Sequence, residues 1–335
     1  MDGLSNAALA ELLALEAEAA SGHTARAFRR ASRRAFTWSV EAADLHATDQ
    51  SLTSLSGIGP FLARQVASWI DDEVERPEPP PIRRSFLTLT EARRNLGFMP
   101  RGDLQMHTTW SDGGDTLETM AKAAAARGYE YISITDHSAG LRIVKGPDEE
   151  GLARQGLEID RLNERLEGLH VLRSVEMNLN VAGEGDLDPR CLETLDIVLA
   201  SFHSQLRKTE DQTDRYVAAV RNPHVRILGH PRGRIYNHRL GLVADWEKVF
   251  DAAAQEDTAV EIDSYPDRQD LNVELLEVAR DAGARISIGT DAHAEWQLEW
   301  IDLGVAAATM AGISRDRILN LMSARELRDW ARGRS

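Results

Sequence analysis

Ten histidines occur in the 335-residue sequence, and five of them (His107, His137, His203, His230 and His293) stand at or just past the end of a short apolar run. The other five (His23, His46, His170, His224 and His238) do not. Glu176 lies near the end of another such run, Asp291 precedes His293 by two residues, and Asp112 follows His107 by five. Taken singly, a histidine after a strand is usually a surface or hydrogen-bonding residue, and a carboxylate is usually solvated or caps a helix. Gathered in one place, imidazole and carboxylate suit zinc, manganese or iron, and a set this large would hold more than one ion.

The runs that carry these residues are DLQMH (103–107), YISITDH (131–137), HVLRSVEMN (170–178), DIVLASFH (196–203), VRILGHP (225–231), AVEIDS (259–264) and RISIGTD (285–291). Helical patterns separate most of them, at 117–127, 149–166, 246–254 and 273–282. Strand and helix in alternation predict an α/β architecture with a largely parallel sheet. Seven strands favour a closed or nearly closed barrel over an open sheet. In such barrels the C-terminal strand ends form the mouth, so the polar residues above converge on one rim.

Upstream of the strands the composition changes. Pro77, Pro79, Pro80 and Pro81 make a stiff extended connector within the segment RPEPPPIRR. The expected division is a helical domain over 1–75, a proline-rich linker over 76–100 and the α/β domain over 101–335. Residues 4–20 are rich in Ala, Leu and Glu at helical spacing. A second helix is expected over 24–42, with Arg26, Arg29, Arg30, Arg33 and Arg34 and no acid until Glu41. A third segment, LTSLSGIGPFLARQV (52–66), has a Gly57-Ile58-Gly59 turn between apolar positions.

Composition narrows the setting. There are 39 basic and 54 acidic residues, a formal net charge of −15. A protein that grips nucleic acid over its whole surface should be basic, so this one would need a local patch, or metal ions that invert an acidic pocket. No run of about 18 uncharged apolar residues is present, which excludes a transmembrane helix. The N-terminus is acidic and lacks the basic leader of a signal peptide. A single cysteine, Cys191, cannot form an internal disulfide, and a cytoplasmic location is expected.

The runs GDLQMHTTWSDGGDT, SITDHS, VEMN, SFHS, GHPRGR and GTDAH resemble, in order, the successive motifs of the PHP (polymerase and histidinol phosphatase) family. The resemblance is strongest to the PHP domain attached to bacterial family-X DNA polymerases, and it runs from about Arg101 to the C-terminus. It implies a distorted seven-stranded α/β barrel that binds up to three divalent metals and hydrolyses phosphate esters. The implied ligands are Gln105, His107, Asp112, His137, Glu176, His203, His230, Asp291 and His293. By resemblance the first metal takes His107, Asp291 and Glu176, with Gln105 in place of the family's first histidine. The second shares Glu176 and adds His203 and His230, and the third takes Asp112, His137 and His293. A glutamine oxygen matches a hard ion better than zinc, which favours Mn²⁺ over Zn²⁺, with Fe²⁺ also compatible. The implied chemistry is metal-assisted phosphoester hydrolysis, in which the ions lower the pKa of a bound water and hold the phosphate. Glu176, Asp291, His203, Arg234 and Arg268 are the expected catalytic groups, and Arg142, Arg234 and Arg268 could hold phosphate oxygens.

Residues 52–66 resemble a helix-hairpin-helix motif, which implies contact with a nucleic-acid backbone through Gly57 and Gly59, aided by Arg26, Arg30 and Arg33. Trp38 and Trp69 are expected in the core rather than as base-stacking platforms. Hairpin, linker and PHP domain in this order resemble a family-X polymerase without its nucleotidyl-transfer palm, so no polymerase activity is expected. The leading expectation is a DNA 3′→5′ exonuclease or 3′-end-processing hydrolase in DNA repair. The alternatives are a small-molecule phosphatase of histidinol-phosphate or nucleotide type, and a non-catalytic metal-stiffened scaffold for DNA or a repair partner.

Overall fold

Apolar runs with branched side chains on both faces make fully buried parallel strands, and seven of them form here. The computed structural model describes residues 3–141 and 143–333. The strands are β1 (Gly102–Met106), β2 (Tyr131–Ile134), β3 (His170–Leu179), β4 (Ile197–Phe202), β5 (Ile227–Leu228), β6 (Ala259–Asp263) and β7 (Arg285–Gly289). They lie side by side in chain order, and every neighbouring pair is parallel. Past the end of β7 the chain returns to β1: Asp291 N donates to Gln105 O at 3.0 Å and His107 N to Ala292 O at 2.7 Å. The sheet is thus a near-closed seven-stranded parallel barrel. No helix among the described residues is long and apolar enough to cross a membrane.

Helices separate the strands, and side-chain caps start several of them. Thr116 accepts from Thr119 N at the start of α6 (Leu117–Ala126), Asp148 from Gly151 N at α7 (Glu149–Asn163), and Asp245 from Lys248 N at α10 (Trp246–Gln255). The remaining ones are α8 (Pro189–Leu192), α9 (Thr213–Arg221) and α11 (Val273–Asp281), with α12 (Ile301–Met310) and α13 (Ala324–Arg332) after β7. Strands β2, β4, β5, β6 and β7 are shorter than the runs that predict them, β5 the most. β5 stops at Leu228 because Gly229 and His230 turn the chain, with His230 at φ +23°.

The chain divides into two compact units, one comprising residues up to Asn95 with Ile235–Leu240, the other Leu96–Arg234 and everything from Gly241 on. The first unit is helical: α1 (Asn6–Ala19), α2 (Gly22–Ala35), α3 (Ala42–Ala47), α4 (Pro60–Asp71) and α5 (Leu89–Arg94). The helix expected over 24–42 ends at Ala35, because the next residues are spent on tertiary contacts. Phe36 and Trp38 enter the core, the Trp38 indole donates to Ser56 O at 3.0 Å, and Glu41 accepts from Asn6 N at 2.8 Å. Of the stretch expected as linker, α5 is helical, with Leu89 and Ala92 buried. Tyr236, from the 235–240 segment, packs edge-on against Phe36 and Phe86 at 4.8 and 5.2 Å between ring centres.

A buried ion pair ties this unit together. Arg83 grips Glu11 through two hydrogen bonds of 2.7 and 2.8 Å, and it also bonds Glu18 and Asn237. Both Arg83 and Glu11 are buried, so removing the arginine strands a carboxylate without water. We expect Arg83→Ala to cost about 3–5 kcal/mol in urea unfolding, and Arg83→Met combined with Glu11→Leu to cost much less. Equal losses in the two variants would mean that side-chain volume, not charge pairing, matters at this position.

Candidate metal centre

Most of the candidate ligands are placed by a strand end. His107 directly follows β1, His203 follows β4, and His230 and Asp291 lie two residues past β5 and β7. Glu176 sits inside the long β3, and His137 lies three residues beyond β2, bridged in parallel to Glu176. Two of these residues hold a positive φ, His230 at +23° and Asp291 at +52°, a conformation uncommon for non-glycine residues.

Glu176 is the hub. One carboxylate oxygen, Oε1, lies 2.7 Å from His230 Nε2 and 3.1 Å from His203 Nε2. The other, Oε2, lies 3.0 Å from His137 Nδ1 and 3.4 Å from His107 Nε2. His107 Nε2 also stands 2.8 Å from Asp291 Oδ1. Asp112 Oδ1 faces three imidazoles, those of His293 at 3.5 Å, His137 at 3.8 Å and His107 at 3.9 Å. Three clusters of metal-ligating atoms result: His107, Asp112, His137 and His293; His137, Glu176 and His203; and His107, Glu176 and Asp291. His107, His137 and Glu176 each belong to two of them.

The donor chemistry fits divalent cations. Both ring nitrogens of His107, Nδ1 of His137 and Oε2 of Glu176 are buried, and although His107 Nε2 and His137 Nδ1 lie 2.8 and 3.0 Å from carboxylate oxygens, none of the four is aligned for a hydrogen bond. Lone pairs left unmatched in a dry site are what a cation would take up. The donor set is that of a centre for two to three divalent metal ions.

Electrostatics agree. Burial alone would push Glu176 up, yet His137, His203 and His230 hold it well below the usual carboxylate range. Asp291 is likewise held down, against burial, by Arg268 and His107, and Asp112 by the three imidazoles around it. His107 and His203 are lowered chiefly by burial. In His230 and His137 burial is overcome by Glu176, and in His293 by Asp112 and Asp291, which raise it to about 9. Both carboxylates that belong to the inner clusters are therefore anionic.

The other expected residues divide. Arg268 Nη1 lies 2.5 Å from Asp291 Oδ2 and 3.5 Å from Asp263 Oδ2, with its side chain about one-third exposed (32%). Arg234 is buried and its Nε donates to the carbonyl of Arg268 at 2.8 Å, so it steadies the loop that carries Arg268. Arg142 lies outside the described residues. Gln105 is fully buried; with its amide nitrogen toward Glu261 it donates to both carboxylate oxygens, at 2.6 and 3.0 Å. An amide so held keeps its oxygen, the atom a hard cation would take, turned away from Glu261.

Four buried acids around the site escaped the sequence reading. Asp136 accepts from Thr108 N, Thr108 Oγ1, Ser111 Oγ and Gln155 Nε2 at 2.6–2.8 Å, which shapes the loop between His107 and Asp112. Gly113 closes that loop so tightly that a Cβ would come within 2.6 Å of Thr108 N. Asp103 accepts from Thr290 Oγ1 at 2.6 Å and Thr290 N at 3.1 Å, fixing the residue before Asp291. Glu261 accepts from His230 N at 2.7 Å, and Asp263 from Tyr265 N at 2.7 Å. The available signal was acids alternating within an otherwise apolar strand, as in AVEID (259–263), where positions two apart share one face.

Two measurements test this arrangement. Asp136→Ala, which removes an outer support, should weaken metal retention roughly 10–100-fold, and Glu176→Ala should weaken it more. Metal content after dialysis, read by plasma emission, checks the order, and wild-type retention in Glu176→Ala would refute the hub. Asp103 is raised by burial to about 6 against the hydrogen bonds from Thr290 and Gln105. The folded chain therefore holds a proton that the unfolded chain has released, and stability falls as pH rises from about 4 to about 6. Asp103→Asn lacks this loss, so its stability relative to wild type should climb by on the order of 3 kcal/mol over that window. Urea midpoints for both proteins at pH 4 and pH 7 check it; a flat difference would place the titration elsewhere.

No protein-family model matches the chain. It is 39% identical over 256 residues to the DNA polymerase/3′-5′ exonuclease PolX of Bacillus subtilis (strain 168), a match that covers 75% of this chain and 44% of that protein. The chain thus spans less than half of that relative. It is 30% identical over 233 residues to a probable phosphatase of Thermoanaerobacter sp. (strain X514), covering 65% of this chain and 89% of the relative. It is also 30% identical over 238 residues to the probable phosphatase YcdX of Escherichia fergusonii, covering 67% and 91%. Among solved structures, the histidinol phosphate phosphatase of Lactococcus lactis aligns with a TM-score of 0.49 and 18% identity, over 64% of this chain and 94% of that one. The two probable phosphatases are matched over 89 and 91% of their own length at 30% identity, and on this ground the chain belongs to the PHP family of metal-dependent phosphoesterases, related both to the PHP domain of family-X polymerases and to the PHP phosphatases.

Proposed function

We propose that the centre hydrolyses phosphate monoesters of small molecules, of histidinol-phosphate or nucleotide type, with Mn²⁺ or Zn²⁺ bound. One observation carries this reading. Every candidate ligand, from Gln105 to His293, comes from the barrel unit, and this chain matches relatives described as probable phosphatases over 89–91% of their own length.

Exposure sorts the residues into a floor and a rim. His107, Glu176 and Asp291 are sealed at the bottom, whereas Asp112, His203, His293 and Arg268 retain side-chain access of 33, 15, 25 and 32%. An ester would enter from the rim, where Arg268 can take non-bridging phosphoryl oxygens through its planar fork. Arg234 keeps that fork in place through the Arg268 carbonyl. Bound divalent ions would supply an activated water and charge neutralisation at the phosphate.

A second reading, a 3′→5′ exonuclease or 3′-end-processing enzyme acting on DNA in the cytoplasm, is favoured by the 39% identity to a protein described as a polymerase and 3′-5′ exonuclease. The two separate in one assay. The protein is given Mn²⁺ or Zn²⁺, then histidinol phosphate, a nucleoside monophosphate or a 5′-labelled oligonucleotide, with Glu176→Ala as control. Release of inorganic phosphate from a monoester, abolished in Glu176→Ala, is the expected result. A descending oligonucleotide ladder with the monoesters untouched would overturn it in favour of the second reading.

A further inference from the structure

The exposed Arg26, Arg30 and Arg33 of α2 and the turn at Gly57 (φ +85°) belong to the hairpin resemblance. An aromatic ledge in the barrel unit belongs to none of the motifs. Of the seven tryptophans, six are buried or half-buried, whereas Trp296 is 53% exposed. It lies three residues past His293, so their α-carbons are no more than roughly 11 Å apart. The stretch between them is held against the loop that carries Asp112. Gly114 N donates to the His293 carbonyl at 2.6 Å, and Glu295 N donates to Asp115 Oδ2 at 2.8 Å.

Ring contacts lead without a break from the rim of the centre to this tryptophan. The Arg268 guanidinium lies 5.6 Å from the centre of the Tyr265 ring. Tyr265 stands edge-on to His293 at 6.4 Å and to Trp300 at 4.7 Å between ring centres, and Trp300 stands edge-on to Trp296 at 5.2 Å. A 3₁₀ turn over Glu295–Trp300 carries both tryptophans. Tyr265 is half-buried and Trp300 is 3% exposed, so they form the base of the ledge and Trp296 supplies its open ring. A single exposed apolar residue is ordinary on a protein surface. What sets Trp296 apart is that its packing partners join it to Arg268 and His293, two groups of the rim.

We propose that Trp296 determines specificity: on the reading that the centre hydrolyses phosphate monoesters, it takes the flat face of a ring carried by the ester's alcohol. The centre then selects esters of ring-bearing alcohols, as nucleosides are, over esters of open-chain alcohols. Arg268 holds the phosphoryl end and the indole holds the ring, and two-point holding of this kind orients the bond between them. Glu295 and Glu299 flank Trp296 in the sequence, which disfavours a second phosphate on the ledge. A quaternary ammonium fits less well, because such cations are held in cages of several open rings and only one ring is open here.

The test compares adenosine 5′-monophosphate, glycerol 3-phosphate and phosphocholine as substrates of the full chain supplied with Mn²⁺ or Zn²⁺. Trp296→Ala should lower kcat/KM for the nucleotide roughly 5- to 150-fold, the range set by stacking of one base on an aromatic ring. The loss should fall on KM, because the ring is held alike before and during the reaction. Glycerol 3-phosphate and phosphocholine should be turned over by Trp296→Ala as by wild type, and Trp296→Phe should recover most of the loss with the nucleotide. Circular dichroism confirms that the variants fold. A second readout needs no turnover: adenosine should quench the tryptophan emission of wild type, and Trp296→Ala should lack that quenching. Wild-type kinetics with the nucleotide in Trp296→Ala, or equal losses with the nucleotide and either open-chain ester, overturn the proposal and leave the monoester reading standing. Phosphate release from none of the three esters removes the monoester reading instead. In that case adenosine quenching that depends on Trp296 still supports the ring site, and quenching unchanged in Trp296→Ala overturns it.

Discussion

A fully buried glutamate among four imidazoles sets the terms for the rest of the barrel unit. Removing a carboxylate from water costs several kcal/mol even after relaxation, and only close positive or cationic partners offset it. Glu176 meets that need from both oxygens at once, with His203 and His230 on one and His107 and His137 on the other. Each of those imidazoles comes from a different strand end, so the charge is tolerable only when strands β1, β2, β4 and β5 all end in register around β3. The near-closed parallel barrel is the arrangement that brings them there.

The outer acids extend the same logic. Asp136 and Asp103 touch none of the metal-ligating clusters, yet each holds the backbone next to a ligand, Thr108 after His107 and Thr290 before Asp291. Glu261 and Asp263 behave differently. Burial raises both well above the ordinary carboxylate range, with Asp263 acting on Glu261 and Asp291 on Asp263. Two neighbouring carboxyls that resist ionisation, beside two that are strongly ionised, leave the negative charge on Glu176 and Asp291. That separation comes from partners: Asp291 has both Arg268 and His107, while Glu261 faces a neutral amide and a backbone N–H.

Much of this was legible in the sequence because a strand end is a positional code. A histidine that follows an apolar run of five or six residues lies at the barrel mouth wherever the intervening helices lead, so His107, His203 and His230 could be placed without coordinates. Burial is not encoded in that way. Asp103, Asp136 and Glu261 have the letters of solvated acids, and only the closed barrel shows that they accept hydrogen bonds from buried hydroxyls, amides and backbone N–H groups. Arg234 shows another side of this: GHPRGR marks it as a phosphate candidate, and the motif alone did not show that its Nε also holds the Arg268 carbonyl. The end of α2 was missed because helical propensity continues past Ala35, but Phe36 and Trp38 gain more from the core than from another helical turn. Trp296 was overlooked because a tryptophan outside every motif reads as a core residue, and only the fold leaves it half in water.

The overall charge of −15 bears on all of these features, since an anionic ester or strand must approach a protein that repels it on average. At ordinary ionic strength the repulsion is screened beyond about 8–10 Å, so what decides capture is the local sign of the surface. Two places reverse that sign by different means. At the barrel mouth Arg268 is paired with the ionised Asp291, so attraction there depends on the cations the clusters would hold. On α2 the arginines are permanently charged and free of acids, and their attraction persists whatever metal is supplied. Metal availability therefore sets the sign of the surface at the first place and leaves it unchanged at the second.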